Sequence, residues 1–314
     1  MIRNMQVVAG IDIGGTNSVV GFVNKEGEIL YEFTVSTKDY QKPEDFVQVI
    51  SNKISTYCTD KDYSLEAIGI GAPNGNIYSG SIEFAPNLQW KGKVKLAEMF
   101  IRQTGVKTFL TNDANAAAIG EKMYGSAKKL NDFIVITLGT GLGSGFYSNG
   151  QLMYGHDGFA GELGHTIVVP EGRQCGCGRR GCLETYASAT GLIKTYNVLM
   201  QNFKSGSVSE ELTAKDLFNK AEMGDKIALR AFDETARMLA IGISNAIAIT
   251  SPQAIILFGG LASAGDLLLK PLDTYLDKYL LEIFKGKVRI LVSELMDRNA
   301  AILGASALAW NEIL

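Results

Sequence analysis

The sequence predicts an α/β protein of two lobes, and three observations carry that expectation. First, two segments share one order of parts: "VVAGIDIGGTNSVVGFVNKEGEILYEFTV" (7–35) and "DFIVITLGTGLGSGFYSNGQLMYG" (132–155) each read strand, glycine-rich turn, strand, polar turn, strand. Second, helical and strand patterns alternate after each of these meanders, as a layered α/β fold requires. Third, 314 residues are comfortable for two domains, and 46% hydrophobic with 20% charged residues suits a globular chain able to bury a sizeable core.

Each element follows from its local pattern. The polar turns of the meanders fall at Lys25-Glu26-Gly27 and Ser148-Asn149-Gly150, and Asn-Gly between alternating apolar stretches is a strong hairpin signal. In the first half, apolar spacing predicts a helix over 43–60, a buried strand in "EAIGIGAP" (66–73) and a helix in "VKLAEMFIRQTG" (94–105). A strand in "VKTFLTND" (106–113) then runs into the Ala-rich helix "ANAAAIGEKMYG" (114–125). The polar stretch "SAKKLND" (126–132) is the expected linker. The second half carries a cysteine-rich loop, a long helix over about 224–251, the strand "QAIILF" (253–258), a helix over about 267–284, the strand "KVRILV" (287–292) and a last helix over about 299–313. The expected division is a smaller lobe of residues 1–125 joined by about 299–314, and a larger lobe of 126–298.

Charge and composition exclude several classes of partner. The net charge is −3, basic pairs occur only at Lys128-Lys129 and Arg179-Arg180, and no basic stripe is interleaved with aromatics, so nucleic acid is not expected. The apolar run before Asp12 is too short for a signal peptide. The longest later one, 238–250, is interrupted by Ser244 and Asn245 and falls short of the roughly 18 residues a membrane span needs. The expectation is a cytoplasmic protein with a small-molecule partner. In that compartment clustered thiols bind metal or do redox work more often than they form structural disulfides.

Two glycine turns are the first chemical signal. "DIGGT" (Asp12, Gly14, Gly15, Thr16) and "GTGLGSG" (Gly139, Thr140, Gly141 and onward) both join strands, where glycine lets backbone N–H groups approach an anion closely and the threonines add hydroxyl donors. Either turn alone is equally a hairpin without a ligand. A dinucleotide fingerprint is disfavoured because both turns lead into a strand rather than a helix. Asp12, at the end of the first buried strand, suits a hydrated Mg²⁺ beside phosphates, or caps its own turn. Gly259-Gly260, between a buried strand and a helix, offers flat backbone for an adenosine, and a plain strand-to-helix turn explains it nearly as well.

The second signal is "LTNDANAAAIGE", which puts Asn112 and Asp113 where a strand ends and a helix begins, at the edge where open α/β sheets bind ligands. An aspartate with its ordinary pKa of about 4 is ionised at pH 7 and can accept a hydroxyl proton; from spacing alone Asp113 is an equally good N-cap. The third is "GELGHTIVVPEGRQCGCGRRGCLETYAS" (161–188), which holds three of the four cysteines and one of the two histidines. His165, Cys175, Cys177 and Cys182 make a closed tetrahedral zinc set that leaves no position for water. A metal-held imidazole has its other N–H fixed as a donor, so zinc is expected to organise Glu162, His165 and Glu184 as one wall of a ligand pocket. Arg179 and Arg180 offset the charge of the site or are solvated, and His156 has no such context.

Together these residues resemble a known group. The duplicated meander with D-I-G-G-T, G-T-G-L-G-S-G and L-F-G-G resembles the actin, sugar kinase and Hsp70 superfamily, of ribonuclease H-like lobes, and "NDANAAAIGE" with "CGCGRRGCLE" resembles the ROK family of sugar kinases and repressors over nearly the whole chain. The resemblance implies ATP and Mg²⁺ as cofactors with structural Zn²⁺, Asp113 as general base toward a hexose 6-hydroxyl, and Asn87, Asn112, Glu162, His165 and Glu184 as sugar contacts. It also implies transfer from ATP to a hexose, glucose first, with N-acetylhexosamine or mannose as alternatives. A homodimer or higher homo-oligomer is expected. One departure is Asn74 in "GIGAPNGN", where the family often has Pro-Gly; it puts a polar side chain close to where the hexose is expected to lie. A non-catalytic ROK repressor would need a helix-turn-helix, yet the first strand is expected within about six residues of Met1. A polymerising actin-like scaffold would need neither the zinc set nor the two glutamates.

Overall fold

Buried Val, Ile and Phe residues dominate the strands around which the chain folds, and the glycines among them decide how closely helices lie on those strands. In this computed structural model, residues 5–203, 212–296 and 298–314 are described. The first meander is β1 (Met5–Ile13), β2 (Asn17–Val23) and β3 (Ile29–Ser36). Then come α1 (Pro43–Lys61), β4 (Tyr63–Gly71), the short strands β5 (Gly75–Asn76), β6 (Ser81–Glu83) and β7 (Lys93–Val94), α2 (Leu96–Thr104), β8 (Thr108–Thr111) and α3 (Asp113–Tyr124). The second meander is β9 (Phe133–Leu138), β10 (Leu142–Ser148) and β11 (Gln151–Leu152). It is followed by α4 (Ala189–Phe203), α5 (Ala214–Glu222), α6 (Lys226–Thr250), β12 (Ala254–Phe258), α7 (Asp266–Tyr279), β13 (Arg289–Val292) and α8 (Ala300–Ile313).

The duplication read from the sequence is a duplication of topology. The two five-stranded sheets have orders β3-β2-β1-β4-β8 and β11-β10-β9-β12-β13, so each places an antiparallel meander beside two parallel strands. β1 pairs in parallel with β4, with Gly10 opposite Gly69, and β9 pairs in parallel with β12, with Val135 opposite Ile256. This is the mixed α/β, actin-like architecture.

The helices that follow the two fifth strands are exchanged. α8 lies on β1, β4 and β2 of the first sheet, and α3 lies on β10 and β9 of the second, the two helices packing on each other between them. Small residues make this possible. A Cβ on Gly10 would stand 2.6 Å from the Ile302 carbonyl, one on Gly145 would stand 2.6 Å from the Ala118 methyl, and one on Gly304 would stand 2.6 Å from the Ala116 carbonyl. At such distances a side chain cannot be accommodated without moving a helix. The carboxyl ends of the central strands of both sheets are thereby brought to one cleft.

Two features differ from the sequence reading. The small antiparallel sheet β5-β6-β7 was not anticipated, because strands of two or three residues carry no periodicity. The helix expected over 267–284 ends at Tyr279, where Leu280 turns to extended backbone (φ −68°, ψ 142°). No helix among the described residues is long and apolar enough to cross a membrane.

Candidate active site

The cleft has a volume of about 610 Å³ and takes its lining from both halves: Asp12, Asn74, Asn87, Asn112 and Asp113 from the first, Gly139 to Ser144, Glu162, His165, Glu184 and Gly259 from the second. Ala300 and Ala301, at the start of α8, close its floor.

Asp113 and Asn112 divide the work that the sequence left undecided between them. Asn112 is the N-cap of α3: its Oδ1 accepts from the Asn115 N–H at 2.6 Å. Asp113 is therefore the first helical residue, and its Oδ1 accepts the neighbouring Ala114 N–H at 2.9 Å while the residue lines the cleft. There it meets solvent while protein surrounds it on most sides, and this enclosure raises its pKa above the ordinary carboxylate value, outweighing the backbone hydrogen bonds that oppose the shift. Asp113 thus departs from the ordinary aspartate expected from the sequence: it is open to solvent, yet the surrounding protein raises its pKa. Asp12 is pushed up to about 6, first by burial and then by the charge of Asp113. Two carboxylates, both from the first half, consequently repel each other at the cleft.

The glycine turns are placed differently. Gly14, Gly15 and Thr16 stand outside the cleft lining. A Cβ on Gly15 would lie 2.5 Å from the Asn87 carbonyl, and the Thr16 carbonyl accepts the Thr37 N–H at 2.8 Å, so this turn is packed against its own half. Gly139, Thr140 and Gly141 line the cleft, with open space beside Gly139. Gly259 has φ +101°, and a Cβ there would lie 2.8 Å from the Leu138 carbonyl, so only glycine fits. Gly260 opens instead into an adjoining apolar pocket of about 490 Å³, walled by Phe218, Phe232 and Leu261 and sharing Leu138, Gly139 and Thr140 with the cleft.

Asn87 reaches the cleft because its neighbours are anchored: Leu88 and Trp90 are buried, and the Trp90 indole N–H donates to the Tyr40 carbonyl at 3.0 Å. Asn74 has a structural explanation for its departure from Pro-Gly. It sits at φ +52°, a conformation that Asn tolerates better than most residues, and its Nδ2 donates to the Glu83 carbonyl at 3.0 Å. Its amide is engaged by the β6 edge even though the residue lines the cleft.

The four metal-ligand candidates come together. One nitrogen of His165 and the sulfurs of Cys175, Cys177 and Cys182 all lie within 4.8 Å of one another. Cys177 and Cys182 Sγ are 3.7 Å apart, and Cys175 Sγ is 3.7 Å from His165 Nδ1. A tetrahedral ion with bonds of about 2.3 Å has edges of about 3.8 Å, so the donor set fits zinc. All four cysteines are free thiols. A hairpin turn builds the set: the Cys175 N–H donates to the Arg179 carbonyl at 2.9 Å, and Arg179 Nη2 donates to the His165 carbonyl at 2.7 Å. With Nδ1 turned to the sulfurs, Nε2 is the ring nitrogen left for the cleft.

Glu162 and Glu184 flank this histidine. Burial raises the Glu162 pKa; His165 opposes the shift, and Asp113 and Glu184 add to it. Glu184 Oε2 accepts the Leu142 N–H at 3.1 Å, joining the cysteine loop to the second glycine turn. Arg173 was not singled out from the sequence, since a lone arginine before a cysteine carries no distinguishing pattern. It is half-buried, with its guanidinium 4.5 Å from the Tyr186 ring centroid. His156 is exposed.

The chain is similar to known proteins along nearly its whole length. A model of the ROK family matches residues 8–312. A glucokinase of Thermotoga maritima is 36% identical over 313 residues, covering 97% of each chain. A ROK family glucokinase from Streptomyces griseus, whose crystal structure is a complex with glucose and AMPPNP, superposes with a TM-score of 0.80 at 33% identity, over 97% of this chain and 99% of that one. A xylose repressor of Caldicellulosiruptor bescii is 30% identical across 99% of this chain and 80% of its own length. Sequence motifs, sheet topology and whole-chain similarity converge: the chain belongs to the ROK family.

Proposed function

We propose that the protein is an ATP- and Mg²⁺-dependent hexose kinase that phosphorylates the 6-hydroxyl, with glucose as the first candidate. The observation that carries the reading is Asp113: a carboxylate freed from capping by Asn112, standing in the cleft with a raised pKa, opposite the open second glycine turn. Phosphoryl transfer needs little beyond in-line positioning, charge stabilisation and a proton acceptor. Asp113 would take the proton of the attacking hydroxyl, and its raised pKa brings it nearer the optimum for a base at neutral pH. The wall of Glu162, His165 Nε2 and Glu184, facing Asn87 and Asn112, offers acceptors and donors for the ring hydroxyls, and carboxylates make the strongest of these bonds.

Donor binding would use both pockets. Backbone of Gly139 to Gly141 would meet the phosphates, and the apolar pocket at Gly260 is of a size for a purine nucleoside. A divalent cation supplies charge neutralisation at the phosphates; Asp12 is the residue placed to hold it, and its carboxylate offers the oxygen ligand that Mg²⁺ prefers. The zinc set would leave no ligand position open, so its contribution is to hold His165. The lobes, residues 1–125 with about 299–314 and residues 126–298, would close about the cleft and exclude water, favouring transfer to sugar over hydrolysis.

The whole-chain likeness to a glucokinase at 36% identity supports this reading, and the likeness to xylose repressors supports the second one, a regulator that binds sugar without turnover. A coupled ADP-release assay across glucose, mannose, fructose and N-acetylhexosamines, with Asp113→Asn as control, separates them. Turnover on one hexose that is lost in the variant is expected. Sugar binding without ADP release from any hexose would overturn the kinase reading.

A further inference from the structure

We infer that Arg173 is a positioning residue for Glu184, and that it holds this part of the cleft wall without the metal. The inference rests on the hexose-binding reading of the cleft for its functional consequence. Glu184 lies in the turn Leu183–Thr185, one residue after Leu183 and two after the metal-ligand candidate Cys182. On its other side, Arg173 Nη1 donates to the Thr185 carbonyl at 2.8 Å and to the Gly191 carbonyl at 3.2 Å, while Nη2 donates to Thr195 Oγ1 at 3.0 Å. The guanidinium stacks on Tyr186, and the Arg173 backbone N–H donates to the Tyr186 hydroxyl at 2.9 Å. One side chain therefore binds the turn that carries Glu184 to the first turns of α4.

The chemistry of Arg173 suits a clamp rather than an ion pair. All its hydrogen-bond acceptors here are neutral carbonyl or hydroxyl oxygens, and only a planar fork with several donors can serve three of them at once while stacking on a ring. A lysine could not reproduce this geometry. The Glu184 carboxylate itself touches the metal set, since the Cys175 thiol donates to its Oε1 at 3.6 Å, but further anchors of the turn's backbone are independent of sulfur. Leu183 is fully buried, its N–H donates to the Thr166 carbonyl at 2.9 Å, and Ser188 Oγ donates to the Glu184 carbonyl at 2.8 Å. His165, by contrast, is tied to the knuckle of Cys175 to Arg180 through its ring and its carbonyl.

The wall thus has two supports: the metal knuckle for His165, and Arg173 for the backbone of the turn that carries Glu184. This departs from the expectation that zinc alone organises both. Because Glu184 also accepts the Leu142 N–H, the Arg173 clamp reaches the second glycine turn as well.

The test is amide hydrogen exchange at Leu142, read with zinc content and with glucose affinity by calorimetry, in the full chain and in Cys177→Ser, Arg173→Lys and Arg173→Met. The expected result is that zinc-free Cys177→Ser keeps Leu142 protection within about threefold, whereas both Arg173 variants keep one zinc per chain, lose about tenfold in Leu142 protection and weaken glucose binding about tenfold. If protection disappears with zinc and survives in Arg173→Lys, the inference is overturned. It is overturned equally if the Arg173 variants lose their zinc, because the arginine then serves only the metal loop. A wild-type protein that binds none of the hexoses defeats the sugar-binding reading instead, and the Leu142 exchange still decides what Arg173 does.

Discussion

The two glycine turns, one in each meander, began as the same device and now do different things. In the first, Gly15 is pressed against the Asn87 loop and only Asp12 reaches the cleft; in the second, Gly139 has open space beside it and the turn lines the cleft along its length. The first turn therefore uses glycine for close packing and sends out a charge, and the second keeps open space beside its backbone along the cleft. A repeated motif reports shared topology, and the neighbours of each copy decide its chemistry.

Substitutions can break that contrast. The largest effect is expected at the residue facing both turns: Asp113→Asn should lower kcat by about 10³-fold, in the range of a lost general base, while sugar affinity by calorimetry changes little. Next, Gly15→Ala should cost about 2 kcal/mol in urea unfolding, since its Cβ would enter the Asn87 carbonyl, whereas Gly139→Ala should leave stability within about 0.5 kcal/mol and raise the KM for ATP. Equal stability losses at both positions would remove the contrast.

The charge sent out by the first turn has a pH signature. The folded-state pKa of Asp12, about 6, lies above its ordinary 3.8, so the group lowers stability as pH rises from about 4 to about 6, and the whole penalty is present above that. Asp12→Asn should accordingly raise the Tm of the metal-free protein by about 2–4 °C at pH 8 and leave it unchanged at pH 4. On the kinase reading, activity should fall below about pH 6 as Asp12 protonates, and raised Mg²⁺ should restore the part due to Asp12 while leaving any loss due to protonation of Asp113. The smallest effect is expected at Asn74: Asn74→Gly should change stability by less than about 0.5 kcal/mol, because glycine gains at φ +52° what it loses in the hydrogen bond to Glu83. A rise in hexose KM in that variant would show that the Asn74 amide also serves the sugar.

Much of this was legible from local pattern. Period-two and period-3.6 spacing located the strands and helices, Asn149-Gly150 marked the second hairpin, and the spacing of His165, Cys175, Cys177 and Cys182 specified a ligand set that the structure brings within one ion's reach. These features are written in short stretches of chain, where backbone geometry alone relates neighbouring side chains. The strands β5 to β7 were not legible because two or three residues are too few to show a period.

What the sequence by itself determined was the duplicated α/β topology, the identity of the metal-ligand candidates and the presence of Asp12 and Asp113 at strand ends. Only the tertiary structure decided that Asn112 rather than Asp113 caps α3, that Gly15 packs while Gly139 stays open, that Asn74 spends its amide on β6, and that Arg173 clamps the Glu184 turn. Three of these depend on which atoms of separate segments come within hydrogen-bonding or van der Waals distance, as where the Gly15 turn meets the Asn87 loop and where the cysteine loop lies on α4; the Asn112 cap depends instead on the residue at which α3 begins.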